Sequence, residues 1–233
     1  MIFDISLVLI IIILLLLIGM IVTQILLAIY GNEIKKFFSR FRLTKKRQND
    51  DIKFLLDFFN NLASTLVKLS SDHVGALIVI ENNDSLAPYI NIGNKIDSIF
   101  FPEFVTSIFY NHKSALHDGA MIIRNWRIAS LSSYLPMTKK IVNVEYGARH
   151  RAAFGICEKY DCFSFVVSET NGNITAVHLD EFKRLSQSPE KLVIEIVKLF
   201  ASSGMFREHK SLRKTNIITQ MEEFNKQNQI KQK

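Results

Sequence analysis

Two short polar clusters in this chain have the residue types best suited to chemistry on an anionic ligand. The first reads His–Asp–Gly–Ala at 117–120, directly before an apolar run. Gly119 permits a turn or a close backbone approach, and Asp118 then lies at the entrance of a predicted strand. A carboxylate in that place can hold a divalent metal or accept a proton. Asp–Gly is also common in ordinary turns, so this cluster alone leaves both interpretations open.

The second cluster is Arg149–His150–Arg151, in the first turn of a helix predicted to follow Gly147. Helix N-termini present unpaired N–H groups and the positive end of the helix dipole. Two guanidinium groups there repel each other unless an anion binds them, and their geometry suits phosphate. The alternative is a solvated basic face. The apolar sequence AAFGI that follows indicates a largely buried helix, which favours a phosphate site.

A third candidate is the pair Ser168 and Glu169, which ends the apolar run CFSFVV. In open α/β sheets, ligand-binding groups gather where strands end. Glu169 is therefore a candidate metal ligand or organiser of a phosphate site, although a Ser–Glu pair by itself carries little information.

The elements that must position these clusters are strands mixed with helices. Apolar residues at three- and four-residue steps predict a helix over 50–71, and its apolar face fits a core better than a partner surface. The other predicted elements are a buried strand at 74–80, a helix at 96–110 interrupted at Pro102, a hairpin turning at Arg124–Trp126, a hairpin around Asn171–Gly172, and a helix over 188–204. This order predicts an α/β domain with a mixed β-sheet flanked by helices.

An apolar run at 7–29 precedes this domain and is broken only by Gly19, Thr23 and Gln24. Its length suits a helix that crosses a hydrocarbon core of about 30 Å. A cleaved signal peptide would have a basic start, a shorter run and a small-residue cleavage site, whereas this chain starts MIFDIS. We expect residues 1–30 to be one retained transmembrane helix.

The charge distribution predicts where the rest of the chain lies. Seven basic residues follow the run: Lys35, Lys36, Arg40, Arg42, Lys45, Lys46 and Arg47. The positive-inside rule then predicts a single-pass protein of the cell membrane with a cytoplasmic domain, and the basic linker at 31–49 can contact anionic lipid. The net charge of +7 is concentrated in this linker and in a polar tail at 205–233. The body at 48–204 has a small excess of acids, which argues against nucleic-acid binding.

The only cysteines are Cys157 and Cys162. A zinc site would need two further ligands at suitable spacing, so we expect two reduced thiols.

Five segments together resemble the diadenylate cyclase family in order and spacing. They are VGALIVIE at 74–81, LHDGAMII at 116–123, YLPMT at 134–138, GARHRAAFGICE at 147–158 and VVSE at 166–169. Enzymes of that family join two ATP molecules into cyclic di-AMP and release two pyrophosphates. The resemblance covers about 74–185 and implies a catalytic domain at 50–204. The single anchor and leading helix are most similar to the membrane-bound, one-span members, such as those of mycoplasmas.

The resemblance also implies residue roles. Those implied to bind metal or triphosphate in catalysis are Asp118, Arg149, His150 and Arg151. Those implied to contact ribose, adenine or phosphate are Gly119, Ala120, Tyr134, Leu135 and Ser168. The implied cofactor is a divalent metal, Mn²⁺ or Mg²⁺, held by Asp118 and Glu169, with Asp118 beside the attacking ribose 3′-hydroxyl.

Two positions depart from the family's pattern. Ala148 stands where the family usually has Thr before Arg–His–Arg, which removes a hydroxyl contact to phosphate. The usual Ser–Glu–Glu–Thr–Gly is shortened to SETNG at 168–172, so Thr170 replaces a second acid. We expect an altered rate or metal preference rather than an inactive protein.

The reaction implied by the resemblance sets an oligomeric requirement. Each ATP must present its 3′-hydroxyl to the α-phosphate of the other, so two subunits must face each other about a two-fold axis, at least transiently. Two other functions stay open. One is a membrane-anchored module that senses a nucleotide without turnover, which Ala148 favours and intact Asp118 and Glu169 disfavour. The other is a membrane-surface scaffold acting through its basic ends, which leaves the two polar clusters unexplained.

Overall fold

The structure is a computed structural model, which describes residues 11–22, 24, 53–140, 146–179 and 181–203. The chain forms two compact units, Met1–Asp51 and Ile52–Lys233. In the first unit residues 11–22 are helical, and their large apolar side chains are exposed. Among the described ranges, no helix has both the length and the apolarity needed to span a membrane. The ends of the predicted span at 7–29, the basic linker and the tail lie outside the described residues.

The second unit is built on one seven-stranded mixed sheet. Its strands are β1 (Ala76–Glu81), β2 (Asn94–Ile99), β3 (Ala120–Arg124), β4 (Arg127–Ser133), β5 (Cys162–Val167), β6 (Ile174–His178) and β7 (Glu181–Arg184). Their order across the sheet is β2-β4-β3-β1-β5-β6-β7. β1 and β3 run parallel, and the other neighbouring pairs are antiparallel. The predicted α/β class with a mixed sheet is confirmed.

Helices cover both faces of this sheet. They are α1 (53–71), α2 (Ala87–Ile92), α3 (Pro102–Tyr110), α4 (Ala148–Cys157) and α5 (Pro189–Ser202). The central strand β1 alternates between two cores, because successive side chains of a strand point to opposite faces. Ile78 and Ile80 join a core with α1, α3 and α5, whereas Leu77 and Val79 join a second core with α4.

Most sequence predictions for this unit agree with the structure. The apolar face of α1 is buried, including Leu62 and Leu66, and both predicted hairpins form. The helix predicted over 96–110 is wrong in its first half, because residues 94–99 form the edge strand β2. Pro102 does not interrupt a helix but begins α3, since the missing N–H of a proline costs nothing in the first helical turn.

Candidate active site

Four central strands bring the polar clusters to one edge of the sheet, meaning the border formed by the ends of its strands rather than an outer strand. Ala76 at the start of β1 lies opposite Val167 at the end of β5, and Ala120 at the start of β3 lies opposite Ser133 at the end of β4. β1 and β3 therefore begin where β4 and β5 end. The turn before β3, the segment after β4 and the segment after β5 consequently share this edge, which is where the sequence placed its candidate ligands.

Asp118 lies in the turn that enters β3. A short 3-10 helix, Ala115–His117, ends there, and the Asp118 N–H donates to the Ala115 carbonyl oxygen at 3.3 Å. The Asp118 side chain is exposed. Gly119 has φ +89°, and a Cβ on it would lie 3.0 Å from the backbone of Ser132 and of Ser133. The left-handed conformation and the close packing on β4 both require glycine there, and together they fix Asp118 at the edge.

His117 is a candidate that the sequence interpretation did not assign. Its Nδ1 lies 2.5 Å from the Ser114 carbonyl oxygen. A carbonyl can only accept, so Nδ1 carries the proton and Nε2 is left as an acceptor. Metal-ligating histidines are commonly oriented by such a bond. The signal in the sequence was the position of His117 directly before Asp118.

Arg149 and Glu169 form a direct ion pair. The Arg149 Nη1 donates to Glu169 Oε2 at 2.8 Å, with the Arg149 side chain 24% exposed and the Glu169 side chain 67% exposed. The Nε of Arg149 is buried and has no hydrogen-bond partner among the described residues. The family resemblance implied separate roles for these residues, on phosphate and on metal, and the structure joins them across the end of β5.

Gly75, directly before β1, is a second residue that the sequence interpretation did not assign. A Cβ on Gly75 would lie 2.6 Å from Arg149 Nη1 and 2.9 Å from Glu169 Oε2. The absence of a side chain there makes room for the ion pair. Its signal was the glycine that opens the apolar run of β1.

His150 differs from the two arginines beside it. It is buried in α4, its ring stacks on Tyr146 with centroids 4.9 Å apart, and burial lowers its pKa. A lowered pKa favours the neutral ring at neutral pH, so Arg149 and the exposed Arg151 carry the positive charge of this cluster.

The remaining predicted residues border the same edge. Tyr134 follows β4 and is 65% exposed, whereas Leu135 is half-buried against the core that contains α4. Ala120 is fully buried in β3, so only its backbone can contact a ligand. Ser168 is half-buried after β5, and its N–H donates to the Asn173 carbonyl oxygen at 3.0 Å.

The side chains at this edge can supply only part of the coordination shell of a divalent cation. The described residues contain no group of three or more His, Cys, Asp and Glu side chains placed to hold a metal. Mg²⁺ in nucleotide enzymes commonly takes one or two carboxylates and completes its shell with substrate phosphates and water. The exposed carboxylates of Asp118 and Glu169 fit that partial donor set.

A mixed sheet with a carboxylate turn and an arginine-bearing helix N-terminus at one edge defines an α/β domain suited to a phosphorylated ligand. The family model described as DAC, DisA bacterial checkpoint controller nucleotide-binding, matches residues 63–182. A diadenylate cyclase of Mycoplasma genitalium is 49% identical over 159 residues, which are 68% of this chain and 78% of that protein. This chain therefore belongs to the diadenylate cyclase family.

Solved structures agree with this assignment. DacA from Staphylococcus aureus, crystallised as a double mutant, has a TM-score of 0.56 and 34% identity, covering 63% of this chain and 94% of that one. A hypothetical membrane spanning protein from Bacillus cereus has a TM-score of 0.52 and 36% identity, covering 54% of this chain and 62% of that one.

Proposed function

We propose that this chain is a diadenylate cyclase, which condenses two ATP molecules into cyclic di-AMP and releases two pyrophosphates. The observation that carries the proposal is the convergence of Asp118 and the Arg149–Glu169 pair on one sheet edge, in a chain that belongs to this family. In the reaction each ribose 3′-oxygen forms a bond to the α-phosphorus of the other ATP. Each α–β phosphoanhydride bond breaks, and each hydroxyl proton is released.

The geometry supports separate roles for the residues of the site. Arg149 and Arg151, at the start of α4, neutralise the triphosphate, with Ser168 beside them. The buried, neutral His150 contributes by fixing the first turn of α4, through its stack on Tyr146. Phosphoryl transfer of this kind depends mainly on positioning and charge neutralisation, which fixed side chains supply without reorganisation.

The nucleoside is held by the other two segments at the edge. Gly119 and Ala120 line the ribose through their backbone, and the exposed Tyr134 ring with Leu135 contacts adenine. Stacking of a base on an aromatic ring contributes roughly 1–3 kcal/mol in comparable sites. Asp118 then lies beside the 3′-hydroxyl, because the tight Gly119 turn sets its carboxylate at the entrance of β3.

Asp118 and Glu169 would hold a divalent metal, Mn²⁺ or Mg²⁺, with substrate phosphates and water completing its coordination shell. When bound, such an ion neutralises charge on the phosphates of the substrate. In that arrangement Glu169 would hold the ion as well as pair with Arg149, whose Nη1 lies 2.8 Å from Glu169 Oε2.

Catalysis requires two copies of the site. One subunit with one ATP cannot supply both a 3′-hydroxyl and the α-phosphate it attacks, so two subunits pair face to face about a two-fold axis, at least transiently.

The chain is placed at the cell membrane with one span and a cytoplasmic catalytic domain. The apolar run at 7–29, the exposed apolar side chains of residues 11–22 and the basic residues at 35–47 support this arrangement. The linker then lies against anionic headgroups.

The direct test is to incubate the full-length chain, purified in mild detergent, with ATP and either Mn²⁺ or Mg²⁺ and to detect cyclic di-AMP by mass spectrometry. Asp118→Asn removes the carboxylate charge at nearly constant size and is expected to reduce product at least about 100-fold. Asp97→Asn is the matched control, because Asp97 is 81% exposed in a surface pair with Arg127 and such pairs contribute little. Equal rates for Asp118→Asn and wild type would contradict the role of Asp118.

The alternative is a sensor that binds ATP without turnover. Ala148 favours it, because a phosphate-contacting hydroxyl usual in the family is missing there. ATP binding without product under either metal would select this alternative, and Ala148→Thr would then be expected to restore turnover.

A further inference from the structure

The segment that follows β4 is packed directly against the helix that carries the arginines. Tyr134 and Leu135 lead into Pro136–Thr138, and the Thr138 N–H donates to the Arg151 carbonyl oxygen at 2.9 Å. Thr138 Oγ1 also donates to Glu158 Oε1 at 2.6 Å, at the other end of α4. Thr138 thus attaches the segment to α4 at two points, the Arg151 carbonyl group in the first turn and the Glu158 side chain just after the last helical residue.

This contact is close because of one residue. Gly155 is buried in the last turn of α4. A Cβ on Gly155 would lie 2.1 Å from the Pro136 carbonyl oxygen, 2.7 Å from the Met137 carbonyl carbon and 2.7 Å from the Thr138 nitrogen. All three are backbone atoms, so no side-chain rotation can relieve the overlap. Any side chain at 155 must push the segment and the helix apart.

A glycine in a helix interior costs about 0.5–1 kcal/mol relative to alanine. At Gly155 this cost is accompanied by the close approach of the segment to α4, which a larger residue would prevent.

We propose that Gly155 is a positioning residue, which sets the distance between the base-contacting segment at 134–138 and the phosphate-binding first turn of α4. The inference rests on the proposed function, in which Tyr134 and Leu135 contact adenine while Arg149 and Arg151 bind the triphosphate. A nucleotide that spans both parts binds well only when their separation matches the distance from base to phosphates. Gly155 touches neither base nor phosphate in this scheme.

The test compares a ligand that engages both parts with one that engages the helix alone. In full-length Gly155→Ala, the affinity for ATP is expected to fall about 10- to 100-fold, because a misplacement of about 1 Å can cost up to about 10²-fold. The affinity for inorganic tripolyphosphate, which uses only the arginines, is expected to stay within about twofold of wild type. Both affinities are measured by titration calorimetry. Steady-state assays are expected to show a larger change in KM, which rises, than in kcat.

A second variant keeps the inference testable if Gly155→Ala folds poorly. Thr138→Val keeps the shape of the side chain but removes both hydrogen bonds of Oγ1, to Glu158 and from the Lys140 N–H. It is expected to lower the affinity for ATP about threefold and to leave the affinity for tripolyphosphate unchanged. Lys159→Ala, at an exposed position just beyond α4, is the control and should match wild type for both ligands.

Unchanged ATP affinity and KM in folded Gly155→Ala would overturn the inference. An equal loss for ATP and tripolyphosphate would also overturn it, since the glycine would then serve only the helix. The proposed function fails separately, if wild type binds ATP but forms no cyclic di-AMP. The comparison of the two ligands still tests Gly155 in that case.

Discussion

At the residue scale, the Arg149–Glu169 pair joins the predicted phosphate side of the site to its predicted metal side. The pair lies over Gly75, whose missing side chain leaves room for both charged groups. Because Arg149 Nε is buried without a partner among the described residues, the guanidinium is held in place mainly through Nη1. The position of this residue therefore depends on Glu169 and on the space above Gly75.

Gly75→Ala is expected to lower kcat/KM for ATP about 10- to 100-fold, because the added methyl group overlaps Arg149 Nη1 and Glu169 Oε2 and displaces both. The measurement is the initial rate of cyclic di-AMP formation, with thermal melting to confirm that the domain is folded. Gly19→Ala is the control for the same exchange, since a Cβ there meets nothing within 4 Å. A folded Gly75→Ala variant with wild-type kinetics would show that the ion pair does not need this space.

At the element scale, the site depends on helices packed behind the sheet that contribute no ligand to it. α5 was predicted from its start at Pro189 and its stop at Gly204, and the structure shows Phe200 fully buried with its ring centroid 4.1 Å from that of Phe163 in β5. Because Ser168 and Glu169 directly follow β5, this contact supports the strand that positions them.

Phe200→Ala is expected to reduce the free energy of unfolding by about 3–5 kcal/mol, the usual cost of removing a buried phenyl group and leaving a cavity. Urea denaturation followed by circular dichroism measures it. Lys198→Ala, on the exposed side of the same helix, is expected to change the value by less than about 0.5 kcal/mol. Equal midpoints for the two variants would mean that α5 does not stabilise the sheet.

The elements also show where periodicity misleads. The run at 96–110 was predicted as one interrupted helix, yet its first part pairs with β4 as the outer strand of the sheet. In β2 partly buried residues alternate with exposed ones, a period of two that is difficult to separate from a helical period over six residues. Pairing with β4, a contact distant in sequence, decides between the two.

At the scale of the whole molecule, the chemistry requires more than one chain. The proposed reaction needs two ATP molecules held in opposite orientations, and the described domain offers one set of residues proposed to bind phosphate, at the start of α4. In the proposed reaction, activity depends on the encounter of two subunits, which a shared membrane surface would favour by raising their local concentration.

The cyclic di-AMP formed per subunit per second is expected to fall as the detergent-purified chain is diluted at saturating ATP, because dilution separates the pairs. The assay is run over a dilution series, with the oligomeric state followed by light scattering or analytical ultracentrifugation. Constant activity per subunit in a sample shown to be monomeric would contradict the face-to-face pair.

The sequence by itself determined the α/β class, the buried β1, the two hairpins, α4, α5 and the family, because these depend on local periodicity, turn residues and ordered motifs. That Asp118, Arg149 and Glu169 lie at one edge could be predicted only in general terms, from where the predicted strands begin and end. The tertiary structure decided the particular contacts: Gly75 below the Arg149–Glu169 pair, His150 buried so that its pKa is lowered, and Gly155 against Pro136–Thr138. These contacts join residues distant in the chain, and their distances depend on how helices pack on the sheet, which no local pattern encodes.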